Sequence, residues 1–333
     1  MTTQRFRTTS SARRLRRATT TLLAGLAAAS LAVRSAAAQD SNILLPIDSV
    51  EYLLRDAPFE IITMQGSRFA DDRTQRVTLR FADSSLIAAK WAKAPFGGET
   101  FNNAPRLELA AYQVQKLFLE PRDYVVPPTI LRSFSLGWYR SLNPNASATF
   151  SRTMSVLVVL QYWLFNVRAS HLWDPDRFQQ DTVYARYFAN MNVLTYLIHH
   201  NDANQGNLLI SRDTTRPRVF AVDNGLSFDS EASDRGTEWR NLKVKRLPRS
   251  TVARLRAITQ ADLDRLLVLA QFQQQPNGLL VRVPATAPAN ANRGITRDDG
   301  VIQFGLTARE IRGLQRRLQR LLEDVDAGKI EVF

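Results

Sequence analysis

The chain has 333 residues, no cysteine and a formal net charge of +13 at pH 7. Seven arginines (5, 7, 13, 14, 16, 17 and 34) lie in its first 38 residues, which hold no acid, so +13 less seven leaves +6 for the remainder. That mild balance excludes a dedicated nucleic-acid binder, the missing cysteines exclude a disulfide framework, and no run after residue 39 is apolar for long enough to span a bilayer.

In chain order, residues 1–38 read as a signal peptide: an arginine-rich start, an alanine- and leucine-rich run over 18–33, then Ser35-Ala36-Ala37-Ala38 before Gln39. The apolar run is short and Arg34 interrupts it, so cleavage after Ala38 and export are expected, with an uncleaved membrane anchor as the other reading. Residues 39–58 form a lead-in with a short helix around 50–54. Three strand-like runs follow, over 59–64, 76–81 and 86–91, with turn residues at 65–67 and 82–85; their alternation predicts an antiparallel meander. Gly66, in the first turn, is a single glycine where a phosphate loop has several. Gly97-Gly98 reads as another turn, and Glu99 beside it either reaches a cation in the site or is a solvated loop acid.

Lys90 ends the run Ile87-Ala88-Ala89-Lys90, with Lys93 as the competing lysine. A lone strand lysine is ordinarily solvated. The next segment argues for a role, because Pro105 suits a first helical position and Leu107, Ala110, Ala111, Val114 and Phe118 recur at helical spacing. Glu108 lies beside that face, placed to pair with Lys90. A strand is expected over 125–131, a polar loop over 143–151 and a buried strand from 154, leading into Gln161-Tyr162-Trp163-Leu164. A helix over 181–198 should bury Val183, Tyr187, Met191, Leu194 and Ile198. Farther on, Ser250 and Thr259 read as helix caps, 273–298 as a long loop, and Thr307 to Glu310 as a capping box. That box opens a helix with Ile311, Leu314, Leu318, Leu321 and Val325 on one face, stopped by Gly328.

The chemistry concentrates between His199 and Phe228. His200-Asn201-Asp202 precedes the apolar run 207–210, and Val219–Val222 precedes Asp223-Asn224-Gly225. The runs predict two strands joined by a turn at 212–217. Such a hairpin gathers Asp202, Asn207 and Asp223 at one end, an oxygen-donor set suited to Mg²⁺ or Mn²⁺ and a nucleoside triphosphate. The spacing H-x-D-x-x-x-x-N, then D-x-G, is that of a protein-kinase catalytic loop and metal-binding segment. His200 reads as a packed histidine of that loop. The basic run 243–249 reads as a solvated face or as one that meets an anionic lipid or acidic protein.

With Leu107-Glu108-Leu109-Ala110-Ala111-Tyr112, Val126-Pro127-Pro128, the Asp202–Asn207 spacing and Val222-Asp223-Asn224-Gly225, the chain resembles the secretory-pathway kinases of the Golgi casein kinase and four-jointed type. It is also similar to type II phosphatidylinositol 4-kinases and CotH-type spore-coat kinases. The resemblance implies an α+β, two-lobed protein-kinase-like fold, with a small antiparallel β-sheet N-lobe over 59–160 and a mostly helical C-lobe over 161–333. It implies ATP with Mg²⁺ or Mn²⁺ and a hydroxyl acceptor on a protein, lipid or glycan. The implied roles are Asp202 for the hydroxyl proton, Asn207 and Asp223 for the metal, and Lys90, fixed by Glu108, for the α- and β-phosphates. Two departures stand out: Asn201 replaces the arginine of H-R-D, and Ala203-Asn204 replace the cation often found just after the catalytic aspartate. A pseudokinase or an AMP-transferring enzyme therefore remains an alternative to an active kinase.

Overall fold

The computed structural model describes residues 40–66, 74–169, 173–229 and 235–333. The expected signal peptide lies outside them, as does the turn following Gly66. The lead-in is structured: helix α1 (Ile47–Arg55) buries Val50 and Leu54. Strands β1 (Phe59–Gly66), β2 (Thr74–Phe81) and β3 (Leu86–Lys93) form the expected meander. Helix α2 (Pro105–Lys116) follows, with Pro105 in its first turn as expected.

Strand β4 (Thr129–Ser135) starts later than the sequence implies. Pro127 and Pro128 have no N–H for a ladder, so 125–128 is held by a side chain instead. Gln115 accepts from the N–H groups of Val125 (2.7 Å) and Val126 (2.8 Å) and donates to the carbonyl of Val126 (2.8 Å). The short helix α3 (Leu136–Leu142) is capped by Ser135, and β5 (Ser155–Tyr162) is buried throughout. The sheet runs β1-β2-β3-β5-β4, every neighbour antiparallel. Because side chains alternate across a strand, the paired row Gln65–Arg76–Lys90–Gln161–Thr129 shares one face. Trp91, one residue on, points the other way and packs against Phe59, Phe134 and Tyr139. That second face, together with α1, is a core of its own.

Next come the two-residue strand β6 (Val167–Arg168), α4 (Pro175–Gln180) and α5 (Thr182–Leu197). Asp181 caps α5 by accepting from the N–H groups of Val183 and Tyr184. The expected apolar face of α5 is buried at Met191, Leu194 and Ile198 but needs correction at Val183, which is 44% exposed, and Tyr184, Ala185, Phe188, Ala189, Asn192 and Val193 are buried as well. Beyond its first turn this helix is covered on most sides, so a one-sided stripe does not describe it. Strands β7 (Leu208–Ser211) and β8 (Val219–Ala221) form the expected hairpin, with Leu208 opposite Ala221 and β6 as a third strand. Then follow α6 (Thr237–Arg240), β9 (Arg246–Leu247), α7 (Arg249–Ala257) and α8 (Gln260–Asp264). Thr259 caps α8 in a capping box with Asp262, as expected, but Ser250 is no cap: α7 begins at Arg249, after Pro248.

The expected long loop over 273–298 is a second correction. It holds part of a four-stranded antiparallel sheet of β10 (Ala270–Gln274), β11 (Leu280–Val283), β12 (Ile295–Asp298) and β13 (Val301–Phe304), ordered β11-β10-β13-β12. Its buried polar residues satisfy one another. Gln303 Nε2 donates to Gln271 Oε1 (2.9 Å), and Gln271 Oε1 also accepts from Thr286 N (3.0 Å). These paired glutamines meet the rule that buried polar groups are bonded. Phe272, Ile302 and Phe304 pack on Leu109, Leu131, Leu157 and Val159. Helix α9 (Ala308–Asp326) has the expected Thr307–Glu310 box and buried face, and ends before Gly328 at φ +70°. Strand β14 (Glu331–Val332) pairs in parallel with β9. Among the described residues no helix is long and apolar enough to cross a membrane.

Candidate active site

Lys90 lies in β3 on the sheet face opposite Trp91, and the first turn of α2 brings Glu108 to it. Lys90 Nζ donates to Glu108 Oε1 at 2.9 Å and also to Asp223 Oδ1. The other carboxylate oxygen of Glu108 accepts the N–H of Asn224 at 3.2 Å, so this one side chain ties β3 to the Asp223 loop. Burial disfavours the ammonium, but Asp223 and Glu108 outweigh it and hold the Lys90 pKa above its ordinary value. The same ammonium holds the Asp223 carboxyl below the usual carboxylate range. Asp223 itself is 54% exposed and adopts φ +55°, a conformation Asp tolerates better than most residues. Lys93 is on the other face, over the ring of Tyr139. Glu99 reaches neither Lys90 nor the Asp223 loop; it accepts from Arg106 Nε at 2.6 Å.

The second half of the site is the loop between α5 and β7. Asp202 is buried, and both of its oxygens accept amide hydrogen bonds: Oδ1 from Asn204 Nδ2 and Oδ2 from Asn207 Nδ2, each at 2.8 Å. The carboxylate is thereby fixed in orientation. Because the Asn207 amide nitrogen is spent on Asp202, its carbonyl oxygen is the atom left for a cation. The Val222 N–H donates to the backbone carbonyl oxygen of Asn207 at 2.9 Å, which holds the Asp202 loop beside Asp223 and leaves the side-chain oxygen unaffected. Among the described residues no group of three or more His, Cys, Asp or Glu gathers to hold a metal alone. Asn207 and Asp223 still fit a hard divalent cation whose remaining ligands are phosphate and water oxygens, the usual manner of Mg²⁺.

His200 is fully buried behind the loop. Its Nδ1 accepts the Asp202 N–H at 3.3 Å, which leaves the proton on Nε2, facing the Val222 carbonyl at 3.4 Å. Burial pushes its pKa down to about 4, against smaller opposing contributions from Val222, Asp202 and Asp223. The folded state therefore favours the neutral ring, and stability is lost as pH falls from the ordinary 6.5 towards 4. We expect this group to cost about 3 kcal/mol over that range. Denaturant unfolding of the wild type and of His200→Gln at pH 7.5, 5.5 and 4 measures it; an identical pH slope in both would rule it out.

All five charged or amide residues named from the sequence thus converge: Lys90, Glu108 and Asp223 in one ion cluster, Asp202 and Asn207 in the adjoining loop. Gly66 does not join them. It ends β1 opposite Gln75, two strands from β3, and no described contact links it to the cluster. Sequence reasoning missed several participants. Asn204, noted only as a missing cation, orients Asp202. Arg240 NH1 donates to Asn201 Oδ1 at 3.0 Å, and Arg235 Nε lies 3.4 Å from Asp202 Oδ1. No spacing rule announces either arginine, because both arrive from the segment after the Asp223 loop.

A five-stranded antiparallel sheet, a lysine on its third strand paired to a glutamate in the next helix, and a hairpin framed by H-x-D-x-x-x-x-N and D-x-G form a protein-kinase-like arrangement. No protein-family model matches the chain, and no curated protein matches it in sequence. Among solved structures it is similar to hydra Fam20 with sugar, at 14% identity and a TM-score of 0.48, over 85% of this chain and 88% of that one. It is also similar to the Golgi casein kinase with Mn/ADP bound, at 13% identity and a TM-score of 0.43, over 84% of this chain and 75% of that one.

Proposed function

We propose that this chain is an exported, ATP-dependent kinase that uses Mg²⁺ or Mn²⁺ to transfer the γ-phosphate to a hydroxyl, on a secreted or envelope protein. The observation that carries this reading is the Lys90–Glu108 pair opening onto Asp223, beside an Asp202 clamped by two amides. Lys90 holds the α- and β-phosphate oxygens, and Glu108 keeps it aimed at them. Asn207 and Asp223 hold the cation, which neutralises phosphate charge when bound. Asp202 orients the acceptor hydroxyl and takes its proton. Phosphoryl transfer asks for positioning and charge neutralisation more than covalent chemistry. In this reading residues 59–160 form the lobe over the nucleotide and 161–333 the lobe beneath it, and the leader at 1–38 directs export. A lipid or glycan hydroxyl is a related acceptor, since the same phosphate machinery serves many. No nucleic-acid partner is proposed.

A second reading, a nucleotide-binding pseudokinase or an AMP-transferring enzyme, draws on Ala203 and Asn204, which give the catalytic loop no cation for a γ-phosphate. One experiment separates them. The purified protein is incubated with ATP and Mg²⁺ or Mn²⁺, thermal stabilisation is read, and transfer is followed from α- and γ-labelled ATP. We expect metal-dependent stabilisation and transfer of the γ-label alone. Asp223→Ala should abolish the metal dependence. Transfer of the α-label would establish AMP transfer, stabilisation without transfer a pseudokinase, and no stabilisation would end the nucleotide reading altogether.

A further inference from the structure

The proposed kinase site has a gap in its charge. Lys90 is 11% exposed and bound to Glu108 and Asp223, and positions 203 and 204 beside Asp202 are Ala and Asn. We propose that Arg235 is the γ-phosphate ligand of this site, supplying from a neighbouring segment the cation that the catalytic loop lacks. The inference rests on the kinase reading above.

Three observations place Arg235 there. Its Nε lies 3.4 Å from Asp202 Oδ1, and its side chain is 74% exposed. The next residue, Gly236, touches the catalytic loop backbone to backbone. A Cβ at 236 would stand 2.5 Å from the Ala203 nitrogen and 2.6 Å from the Asn201 carbonyl carbon and oxygen, distances no side chain tolerates. Gly236 is thus the residue that lets this segment approach, and the approach delivers Arg235. The segment is then pinned from behind. Arg240 donates to Asn201, buried Trp239 packs on Phe188, and the Trp239 carbonyl accepts from Thr195 Oγ1 at 2.6 Å and Asn192 Nδ2 at 3.2 Å. Asn201, where kinases of the H-R-D type have arginine, here receives an arginine from the docked segment. Pairing with a phosphorylated loop is not needed to hold the segment in place.

The chemistry follows from position. The acceptor hydroxyl oxygen bonds to the γ-phosphorus as the bond from that phosphorus to the β–γ bridging oxygen breaks, and the electron pair stays on ADP. The hydroxyl proton goes to Asp202. Charge accumulates on oxygens next to Asp202, and a guanidinium there offers two parallel donors to a phosphate. The same cation offsets the repulsion between the Asp202 carboxylate and the incoming phosphate. Comparable arginines supplied in cis or trans are worth several orders of magnitude in rate.

The test compares wild type, Arg235→Ala and Arg235→Lys for γ-label transfer and, separately, for affinity towards Mg·ATP and Mg·ADP by calorimetry. We expect Arg235→Ala to lose about 100-fold or more in transfer rate, to bind ATP about tenfold more weakly, and to bind ADP as the wild type does, with Arg235→Lys between the two. Undiminished transfer in Arg235→Ala overturns the assignment. So does an equal loss of ATP and ADP affinity, which would make Arg235 a structural brace. A wild type that binds no ATP overturns this inference together with the kinase reading, whereas a wild type that transfers phosphate while Arg235→Ala does so equally well overturns this inference alone.

Discussion

Asp202→Asn is expected to bind Mg·ATP as the wild type does and to transfer phosphate at least 100-fold more slowly. The size follows from the work assigned to the carboxylate, since a positioned general base contributes about 10²–10⁴-fold. The retained binding follows from the division of labour, because the cation is assigned to Asn207 and Asp223 and the phosphates to Lys90. The substitution has a structural cost that must be read alongside. Both Asp202 oxygens accept from amides, and an asparagine turns its own NH₂ towards one of those two donors. One clamp then becomes a donor facing a donor, a loss of about 1–3 kcal/mol. The measurement is therefore threefold: melting temperature, ATP affinity and γ-label transfer. A folded Asp202→Asn that keeps a tenth or more of the wild-type rate would remove Asp202 from the chemistry. A folded variant that no longer binds ATP would instead make Asp202 part of the nucleotide site.

The residues of the site were legible because phosphate chemistry restricts residue type and local geometry restricts spacing. Asp202 and Asn207 sit on one short loop and Asp223 just past the end of the strand that returns to it, so a hairpin readable from two apolar runs suffices to bring them together. Lys90 and Glu108 were legible in the same way, one in a strand that continues past it to Lys93 and the other in the first turn of the next helix. Arg235 has no such rule. It reaches Asp202 through the packing of Gly236 on Ala203 and of Trp239 on α5, and neither contact leaves a period or a spacing in the chain. Parts of the fold were hidden for a related reason. The expected loop over 273–298 holds β11 and β12, the two edge strands of the second sheet, and of their eight residues only Leu280 is buried, so no apolar pattern marks them. Val183 shows the converse: an apolar residue at helical spacing that faces outward, while its neighbours Tyr184 and Ala185 turn into the core.

Arg106→Ala is expected to destabilise the fold by about 3–5 kcal/mol, the usual result of removing one partner from a buried ion pair. Arg106 is buried two residues before Glu108, and its NH1 lies 2.9 and 2.8 Å from the two oxygens of Glu310, which is also buried. Its Nε donates to Glu99, and Gly294 packs directly against the guanidinium. Glu310 has a second duty, accepting the Thr307 N–H at 2.6 Å in the cap of α9. One guanidinium thus joins the helix that aims Glu108 at Lys90 to the start of the C-terminal helix. Losing it leaves a carboxylate buried with only its cap, and Arg106→Ala should also weaken ATP binding, because α2 loses an anchor within one turn of Glu108. The double variant Arg106→Met, Glu310→Gln separates charge from shape: methionine refills the space and glutamine keeps the Thr307 cap. We expect it to regain most of the stability, since a buried pair replaced as a unit costs far less than a pair broken. Urea denaturation of the wild type, both single variants and the double variant gives the coupling directly. A single-variant cost below 1 kcal/mol would mean that α2 is held by its apolar packing on α5 and the second sheet rather than by this pair.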